Sequence, residues 1–314
     1  MQISDFTLAH IEQAEKLSKQ NYEEERNHVP ILPCVSEIPK LKDFAENSRG
    51  ISLTDNDKLL GFFCWLEPWD NHFGLTKGTW SPMHAHGAVS QNRAEIYDRL
   101  YQAAAEKLVS SGVLSHAVTL YEHDNEANKS FSQNGFGKRC VDAVRETTPI
   151  SAPLCGNFTF RQAEKSDAQI IAEMRNNSNT HLSTSPMFMP LSSPITVDNI
   201  INEIESVEYK YFVAAEKNRI AAYYRIQKDG ENFVCDDTSM MNITGAYAFP
   251  KVRGTGVSAA LLSFLMDWLK EHGYSRCSVD FECFNFTAQK FWNKYFAPYT
   301  NGVVRRIDER IYRK

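Results

Sequence analysis

The stretch Ala246–Gly273, AYAFPKVRGTGVSAALLSFLMDWLKEHG, decides the reading of this chain. Ala246-Tyr247-Ala248-Phe249 ends a segment of strand composition. Val257, Leu261, Leu265, Trp268 and Leu269 then recur at helical spacing, and Gly273 is a good terminator. Between the two lies Lys251-Val252-Arg253-Gly254-Thr255-Gly256. Such a strand-to-helix turn presents backbone N–H groups at the positive end of the helix, an arrangement that binds phosphate. Gly254 and Gly256 allow close approach with no Cβ in the way, and Lys251 and Arg253 add cations, the guanidinium with a two-pronged grip. Glycines placed for packing alone would give the same turn, so the context has to decide. The Walker pattern fails because no Gly-Lys-Ser/Thr closes the loop. A dinucleotide fingerprint needs three glycines, and this turn has two.

Outward from this turn, the second half of the chain reads as alternating strands and helices. Phe158 and Phe160 alternate as on a strand, and Ser166 or Asp167 can cap a helix carrying Ile170, Ile171 and Met174. A proline-bearing loop follows from Asn179 to Pro194. YFVAAE and RIAAYYRIQ flank Lys217-Asn218 as a hairpin. FVCDD and MNITGAYAF continue the strands, with Asp236-Asp237 as a turn or strand end. After the long helix come a strand (SRCSVDFECF), a helix (NFTAQKFWNKYF) and a final strand region (TNGVVRRIDERIYR). The first half has the same grammar: ISDFTL, a helix around Ile11–Tyr22, a proline loop, a hairpin turning at DNDK, then HAHGAV before a helix around Asn92–Ser110. A strand (HAVTLYEHD) and a helix (NEANKSFSQ) complete it. Pro149 and Pro153, with Ser151 and Gly156, make the break between the halves. The expected organisation is a domain over 1–148, a linker over 149–155 and a domain over 156–314. Repeats this long mean duplicated domains, not a solenoid.

Composition sets outer limits. The chain has 314 residues, 42% hydrophobic and 23% charged, which is ordinary for a globular protein. A net charge of −5 gives no basic excess, so a nucleic-acid partner is not expected. No apolar run approaches the roughly 18 residues of a membrane span, and the N-terminus lacks the pattern of a secretory signal. Seven cysteines with no CxxC pair fit a reducing compartment, hence a cytoplasmic location, and neither a zinc cage nor a disulfide framework is expected.

The ordered set of motifs resembles the GNAT superfamily of acyl-CoA-dependent N-acetyltransferases. That family's pyrophosphate loop reads Gln/Arg-x-x-Gly-x-Gly/Ala after the fourth strand, and here Lys251 is a conservative departure at its first position. A long amphipathic helix, a fifth strand and Asn-x-x-Ala should follow, and Asn285-Phe286-Thr287-Ala288 supplies the last of these. Phe160-Arg161-Gln162-Ala163 with Asp167 is also typical. The resemblance spans Asn157 to Lys314. The first half looks like the same fold in decayed form: Asp124 stands at the Asn position, Ala127 at the Ala position, and His84-Ala85-His86-Gly87-Ala88-Val89 at the loop, with one glycine and no arginine. The implied fold class is α+β (α/β mixed sheet), two tandem domains each built on a central mixed, mostly antiparallel sheet flanked by helices.

The resemblance implies acetyl transfer from acetyl-CoA to a primary amine of a small molecule or peptide, with no metal, nucleic-acid or membrane partner. The cofactor would meet Ala246, Ala248, Phe249, Lys251, Val252, Arg253, Gly254, Thr255, Gly256, Val257, Ser258, Asn285 and Trp292. In the family the fourth and fifth strands splay and the pantetheine arm lies between them. A tyrosine that often protonates the leaving thiolate is replaced here by Trp292, and by Phe131 in the first half. An indole N–H is not a useful proton source at neutral pH. Tyr295 or Tyr247 can take over, or solvent can protonate the thiolate, or the domain can bind acyl-CoA without turnover, as a sensor or scaffold. For the base, Asp280 and Glu282 share a strand face, and Glu282 is nearer the reacting end. His84, His86, His116 and His123 lack metal-ligand spacing. Glu23-Glu24-Glu25 reads as a solvated helix end, or as an attractor of a cationic amine.

Overall fold

The computed structural model describes residues 1–153 and 155–312. Leu154, in the expected linker, and Arg313 and Lys314, in the expected second domain, lie outside the described residues. The chain divides into one unit of Met1–Asp142 with Pro298–Lys314 and another of Ala143–Ala297. These bounds differ from those expected at 148 and 156. The tail expected in the second domain belongs to the first unit.

The first unit runs β1 (Gln2–Asp5), α1 (Ile11–His28), α2 (Lys42–Glu46), β2 (Gly50–Asp55), β3 (Lys58–Cys64), β4 (Gly78–Ser81), β5 (His86–Ala88), α3 (Arg93–Ser110), β6 (Ser115–Tyr121), α4 (Asn125–Gln133) and the start of β7 (Gly137–Glu146). β1, β2, β3 and β5 form an antiparallel sheet, and β4 pairs in parallel with β6. The tail supplies the strand Thr300–Arg306, which lies antiparallel to β6 with Thr300 opposite Tyr121 and Arg306 opposite Ser115. Its other edge takes the start of β7. The reasons are visible in the side chains. Val303 enters the core with Val118, Leu120 and Phe136, and Asn301 donates to the Asn128 side chain at 2.9 Å. An alternating strand pattern fixes which side chains face inward, not which strand lies alongside.

The second unit runs β8 (Thr159–Gln162), α5 (Ala168–Ser183), α6 (Val197–Glu205), β9 (Tyr209–Glu216), β10 (Arg219–Gln227), β11 (Met240–Ala248), α7 (Val257–Glu271), β12 (Arg276–Glu282) and α8 (Phe286–Tyr295). Its sheet has the order β8-β9-β10-β11-β12, antiparallel except for the parallel pair β11–β12. Alternation along β9 explains the layers. Tyr211, Val213 and Ala215 pack with Ile171, Met174 and Ile200 of α5 and α6. Phe212 points the other way, edge-on to Phe264 and Trp268 of α7.

Both expected hairpins form. Lys217 and Asn218 take φ of 49° and 64°, and Asn56 and Asp57 take 48° and 64°, the left-handed pair that matches strand twist. Other expectations need correction. The first helix does not stop at Tyr22 but continues to His28, carrying Glu23–Glu25 with it. The loop expected from Asn179 begins only after Ser183. FVCDD is not a strand: Phe233–Asp236 form a 3-10 turn, with Asn232 accepting from the Val234 N–H at 3.1 Å.

An ion cluster ties this layer together. Glu203 accepts from Arg175 at 2.8 Å and from Arg225 at 3.2 Å, and the Tyr211 hydroxyl also donates to it. Burial raises the Glu203 pKa, but Tyr211, Arg175 and Arg225 outweigh it, so the carboxyl titrates below its usual range. A depressed folded pKa contributes stability that is full above the unfolded value and is lost as pH falls through the folded one. Glu203→Gln is expected to lower unfolding free energy by about 1–2 kcal/mol at pH 7. In urea titrations the gap from wild type should close as pH drops below the usual carboxylate range.

Candidate active site

The parallel pair β11–β12 sets the geometry. It is paired from Met240↔Arg276 to Ile243↔Val279 and no further. Beyond that point β11 stays with β10, from Gly245↔Arg225 to Ala248↔Ala222. The β10–β11 register shifts at Thr244, the extra residue on β11. Such a bulge bends a strand. Arg225 pins it, with Nε 3.2 Å from Thr244 Oγ1 and Nη2 3.1 Å from the Thr244 carbonyl. The edge of Gly245–Ala248 that faces β12 is thereby released from the ladder.

The turn after β11 closes one end of the gap. Pro250–Val252 form a 3-10 turn, Gly254 takes φ 78° and Gly256 takes φ 92° as the N-cap of α7. A Cβ at Gly254 would meet no atom within 4 Å, whereas one at Gly256 would run into Pro153 at 2.8 Å. Gly254 therefore leaves space open, and Gly256 lets the chain pack under a proline. No side chain caps α7, and its first internal bond is Ala260 N–H to the Gly256 carbonyl at 3.0 Å. The N–H groups of Val257, Ser258 and Ala259 come before any carbonyl four residues back within the helix, and they are the partial positive charge of its N-terminus. Arg253 folds back, donating through Nε to the Ala248 carbonyl at 3.0 Å with its guanidinium 5.3 Å from the Tyr247 ring centre.

A cavity of about 570 Å³ opens here. Of the sequence-expected residues, Ala246, Tyr247, Ala248, Val252, Arg253, Gly254, Thr255, Gly256, Ser258, Asn285, Trp292 and Tyr295 line it. Lys251, Phe249, Val257 and Glu282 are not among the lining residues. Lys251 is exposed, Phe249 packs toward the α5–α6 core, Val257 is buried under α7, and Glu282 ends β12 with one carboxylate oxygen buried. Asn285 caps α8, its side-chain oxygen accepting from the Ala288 N–H at 3.3 Å. Trp292 is buried against Tyr224 and Phe296.

Sequence reasoning missed Tyr223, Tyr224, His181, Lys290 and Lys294, all of which line the cavity. The two tyrosines sit opposite Tyr247 and Ala246 across the β10–β11 ladder, so the hairpin register would have found them. Lys290 and Lys294 share a face of α8 at a spacing of four. Tyr224 donates to the Ser258 carbonyl at 2.9 Å, and burial pushes its hydroxyl far up; burial pushes Tyr223 up to about 12. Both remain neutral donors at physiological pH. Burial, and then the charge of Arg253, lower the His181 pKa, so its imidazole is neutral at pH 7 and can accept a proton. Among the described residues the lining holds Arg253, Lys290 and Lys294 and no carboxylate.

The first unit treats the matching place differently. His84-Ala85-His86-Gly87-Ala88-Val89 is no phosphate loop. His86–Ala88 form β5, and a Cβ at Gly87 would press on Asn21 at 3.0 Å. His86 spans from β5 to β6, with Nε2 2.8 Å from the Thr119 carbonyl and Nδ1 3.1 Å from the Tyr97 hydroxyl. A carbonyl only accepts, so Nε2 carries the proton and Nδ1 accepts from Tyr97. Burial lowers this imidazole to about 4 and keeps it neutral. Phe131 is core, packed on Phe63, Tyr97, Tyr101 and Phe136. His116 is likewise buried, beside the Tyr101 hydroxyl at 2.9 Å. Among the described residues no three His, Cys, Asp or Glu are placed to hold a metal ion.

Comparison with known proteins places this geometry. Residues 179–297, a segment that contains the parted strands and the glycine turn, match the model of the Acetyltransferase (GNAT) family. No curated protein matches the chain. Among solved structures, a GCN5-related N-acetyltransferase from Sphaerobacter thermophilus is similar with a TM-score of 0.57 at 11% identity, covering 97% of this chain and 95% of that one. A GCN5-related N-acetyltransferase from Kribbella flavida gives 0.47 at 9% identity, over 94% and 97% of the two chains. The yncA protein of Salmonella typhimurium, a putative acetyltransferase with its cofactor acetyl-CoA, gives 0.38 at 18% identity, over 49% of this chain and 96% of that one. The Sphaerobacter structure shares the fold.

Proposed function

We propose that this chain transfers an acetyl group from acetyl-CoA to a primary amine of a small molecule or peptide, by direct attack in the second unit. The family of residues 179–297 supports acetyl transfer. One observation carries the assignment to this cavity. The parted edge of β11 leads to the uncapped N-terminus of α7 in a lining that is cationic and free of carboxylates. That combination suits a polyphosphate joined to an extended, amide-bearing arm. The α7 N–H groups with Arg253, Lys290 and Lys294 hold the phosphates, and the released backbone of Ala246–Ala248 takes the arm as a substitute strand. A backbone N–H on that edge polarises the thioester carbonyl. Holding amine and acetyl carbon in contact supplies much of the rate.

Proton movements fall to side chains around the gap. His181 lines the cavity in its neutral form and can take the proton of the arriving ammonium, whereas Glu282, outside the lining, acts through water. Tyr295 stands one helical turn beyond Trp292 and supplies the proton to the departing sulfur. The first unit, read as a copy of the same fold, has no cofactor loop of its own. Among the described residues no helix is long and apolar enough to cross a membrane. Seven cysteines with no CxxC pair support a reducing compartment, the cytoplasm.

The buried Trp292 at the acid's usual position favours a second reading, an acyl-CoA sensor without turnover. Thiol release from acetyl-CoA over a panel of primary amines separates the two. Release with at least one amine, at a rate well above the amine-free rate, is expected. Tight acetyl-CoA binding with no amine-dependent thiol would sink the enzyme and leave the sensor.

A further inference from the structure

The bulge that parts β11 from β12 is held by a side chain from outside the gap. Thr244 has no rung in the β10–β11 ladder, where Arg225 lies opposite Gly245 and Ile226 opposite Ile243. A bulged residue left off the ladder needs another partner for its backbone. Arg225 supplies it, with Nη2 donating to the Thr244 carbonyl at 3.1 Å. Its Nε donates to the Thr244 hydroxyl at 3.2 Å, and that hydroxyl donates in turn to Gln227 Oε1 at 3.0 Å. The third arm of the fork, Nη1, donates to Glu203 at 3.2 Å. Arg225, Thr244 and Glu203 all lie outside the cavity lining.

Glu203 is itself fixed from two other elements. Arg175 of α5 reaches both its oxygens, at 2.8 and 2.9 Å, and Tyr211 of β9 donates to it. The Arg225–Glu203 pair is largely shielded, with 16% and 20% of the two side chains exposed. The helix α5 also carries Ser178 and His181, which line the cavity. One carboxylate thus ties the bulge to the helix that presents His181. On the β12 side a buried polar pair locks the last rungs before the gap. Ser278 Oγ donates to the Asn242 side chain, whose amide donates to the Lys228 carbonyl. The strands are bound together at Asn242 and Ser278 and parted two residues further along β11.

We propose that Arg225 is a positioning residue for the pantetheine arm: its fork, aimed by Glu203, keeps Thr244 bulged and so holds the edge of Gly245–Ala248 open. It touches neither cofactor nor amine and acts through the backbone of β11. The inference rests on the reading of this gap as the acetyl-CoA slot. Without the fork, the bulge competes with a regular ladder. In that ladder every side chain beyond Thr244 would change faces, so Tyr247 would trade places with Ala246 and Ala248. Lysine cannot stand in, because a single ammonium on a flexible stem does not hold a hydroxyl, a carbonyl and a carboxylate in one plane.

The test is calorimetry on the full chain with two ligands: acetyl-CoA, and ADP, which carries the pyrophosphate without the arm. Arg225→Lys should weaken acetyl-CoA about tenfold and leave ADP within about twofold. Thr244→Val should weaken acetyl-CoA about threefold. The double variant should be no weaker than Arg225→Lys alone, since both changes act on one bulge. Arg161→Met breaks the ion pair with Asp167 on β8, at the far edge of the same sheet, and should bind acetyl-CoA like wild type. Urea unfolding of each variant gives its folded fraction. Wild-type acetyl-CoA affinity in Arg225→Lys, or equal weakening of acetyl-CoA and ADP, overturns the inference and leaves the cofactor site where it is. Absence of acetyl-CoA binding by the wild type overturns the site, and the inference with it. Should Arg225→Lys unfold, Thr244→Val decides by the same split between the two ligands.

Discussion

Gly254→Asp is expected to weaken acetyl-CoA binding by about 100-fold or more while leaving the fold in place. A Cβ here would meet no atom within 4 Å, so the backbone around it has room for a side chain. The new carboxylate stands where the α7 N-terminus and Arg253 would receive a phosphate, and placing like charges together costs several kcal/mol, roughly tenfold in affinity for each 1.4. The φ of 78° adds strain of about 1–2 kcal/mol for a residue with a Cβ, less for Asp than for most. Gly254→Ala separates these effects, since it carries the strain without the charge, and only a few-fold loss is expected. Calorimetry with acetyl-CoA, alongside urea unfolding of each variant, reads both. Wild-type affinity in Gly254→Asp would remove the pyrophosphate from this turn.

That turn was legible in the sequence because its constraint is local. Two glycines, a strand before and an amphipathic helix after leave few backbone solutions, and both glycines have positive φ. Asp167, one of the two residues read as a cap, stands at the N-cap of α5 but makes no side-chain cap bond there. Asp124 and Asn285, matched by position in the two halves, accept from the N–H groups of Ala127 and Ala288. What escaped depends on residues far apart in the chain. Glu25 looked like part of a solvated acidic run, and its burial follows from His123, ninety-eight positions away. The tail strand showed its alternation but not its partner β6. The bulge at Thr244, which frees the β11 edge, depends on Arg225 from the neighbouring strand. Lys290 and Lys294 lie one helical turn apart with no motif to single them out, and only the position of α8 brings them to the cavity.

Tyr295→Phe is expected to lower kcat about 100-fold while the acetyl-CoA affinity stays within twofold, the usual cost of removing a general acid being 10²–10⁴. The case is made by comparing the aromatic residues of the cavity. Trp292 has no acidic proton and is packed between Tyr224 and Phe296. Tyr224 gives its proton to the Ser258 carbonyl, and burial holds Tyr223 near 12, too weak an acid to serve well. Tyr247 lies under the Arg253 guanidinium at the phosphate end of the gap. Tyr295 is half-buried beside Phe291 on α8, the helix that follows β12, and it is the phenol nearest in sequence to the position the acid usually holds. Steady-state kinetics with the best amine, with kcat and KM resolved, read the result. A loss in KM with kcat intact would make Tyr295 a binding residue. Unchanged kcat in both Tyr295→Phe and Tyr247→Phe would leave the thiolate to be protonated by solvent, and kcat should then show no dependence on a group titrating in the phenol range.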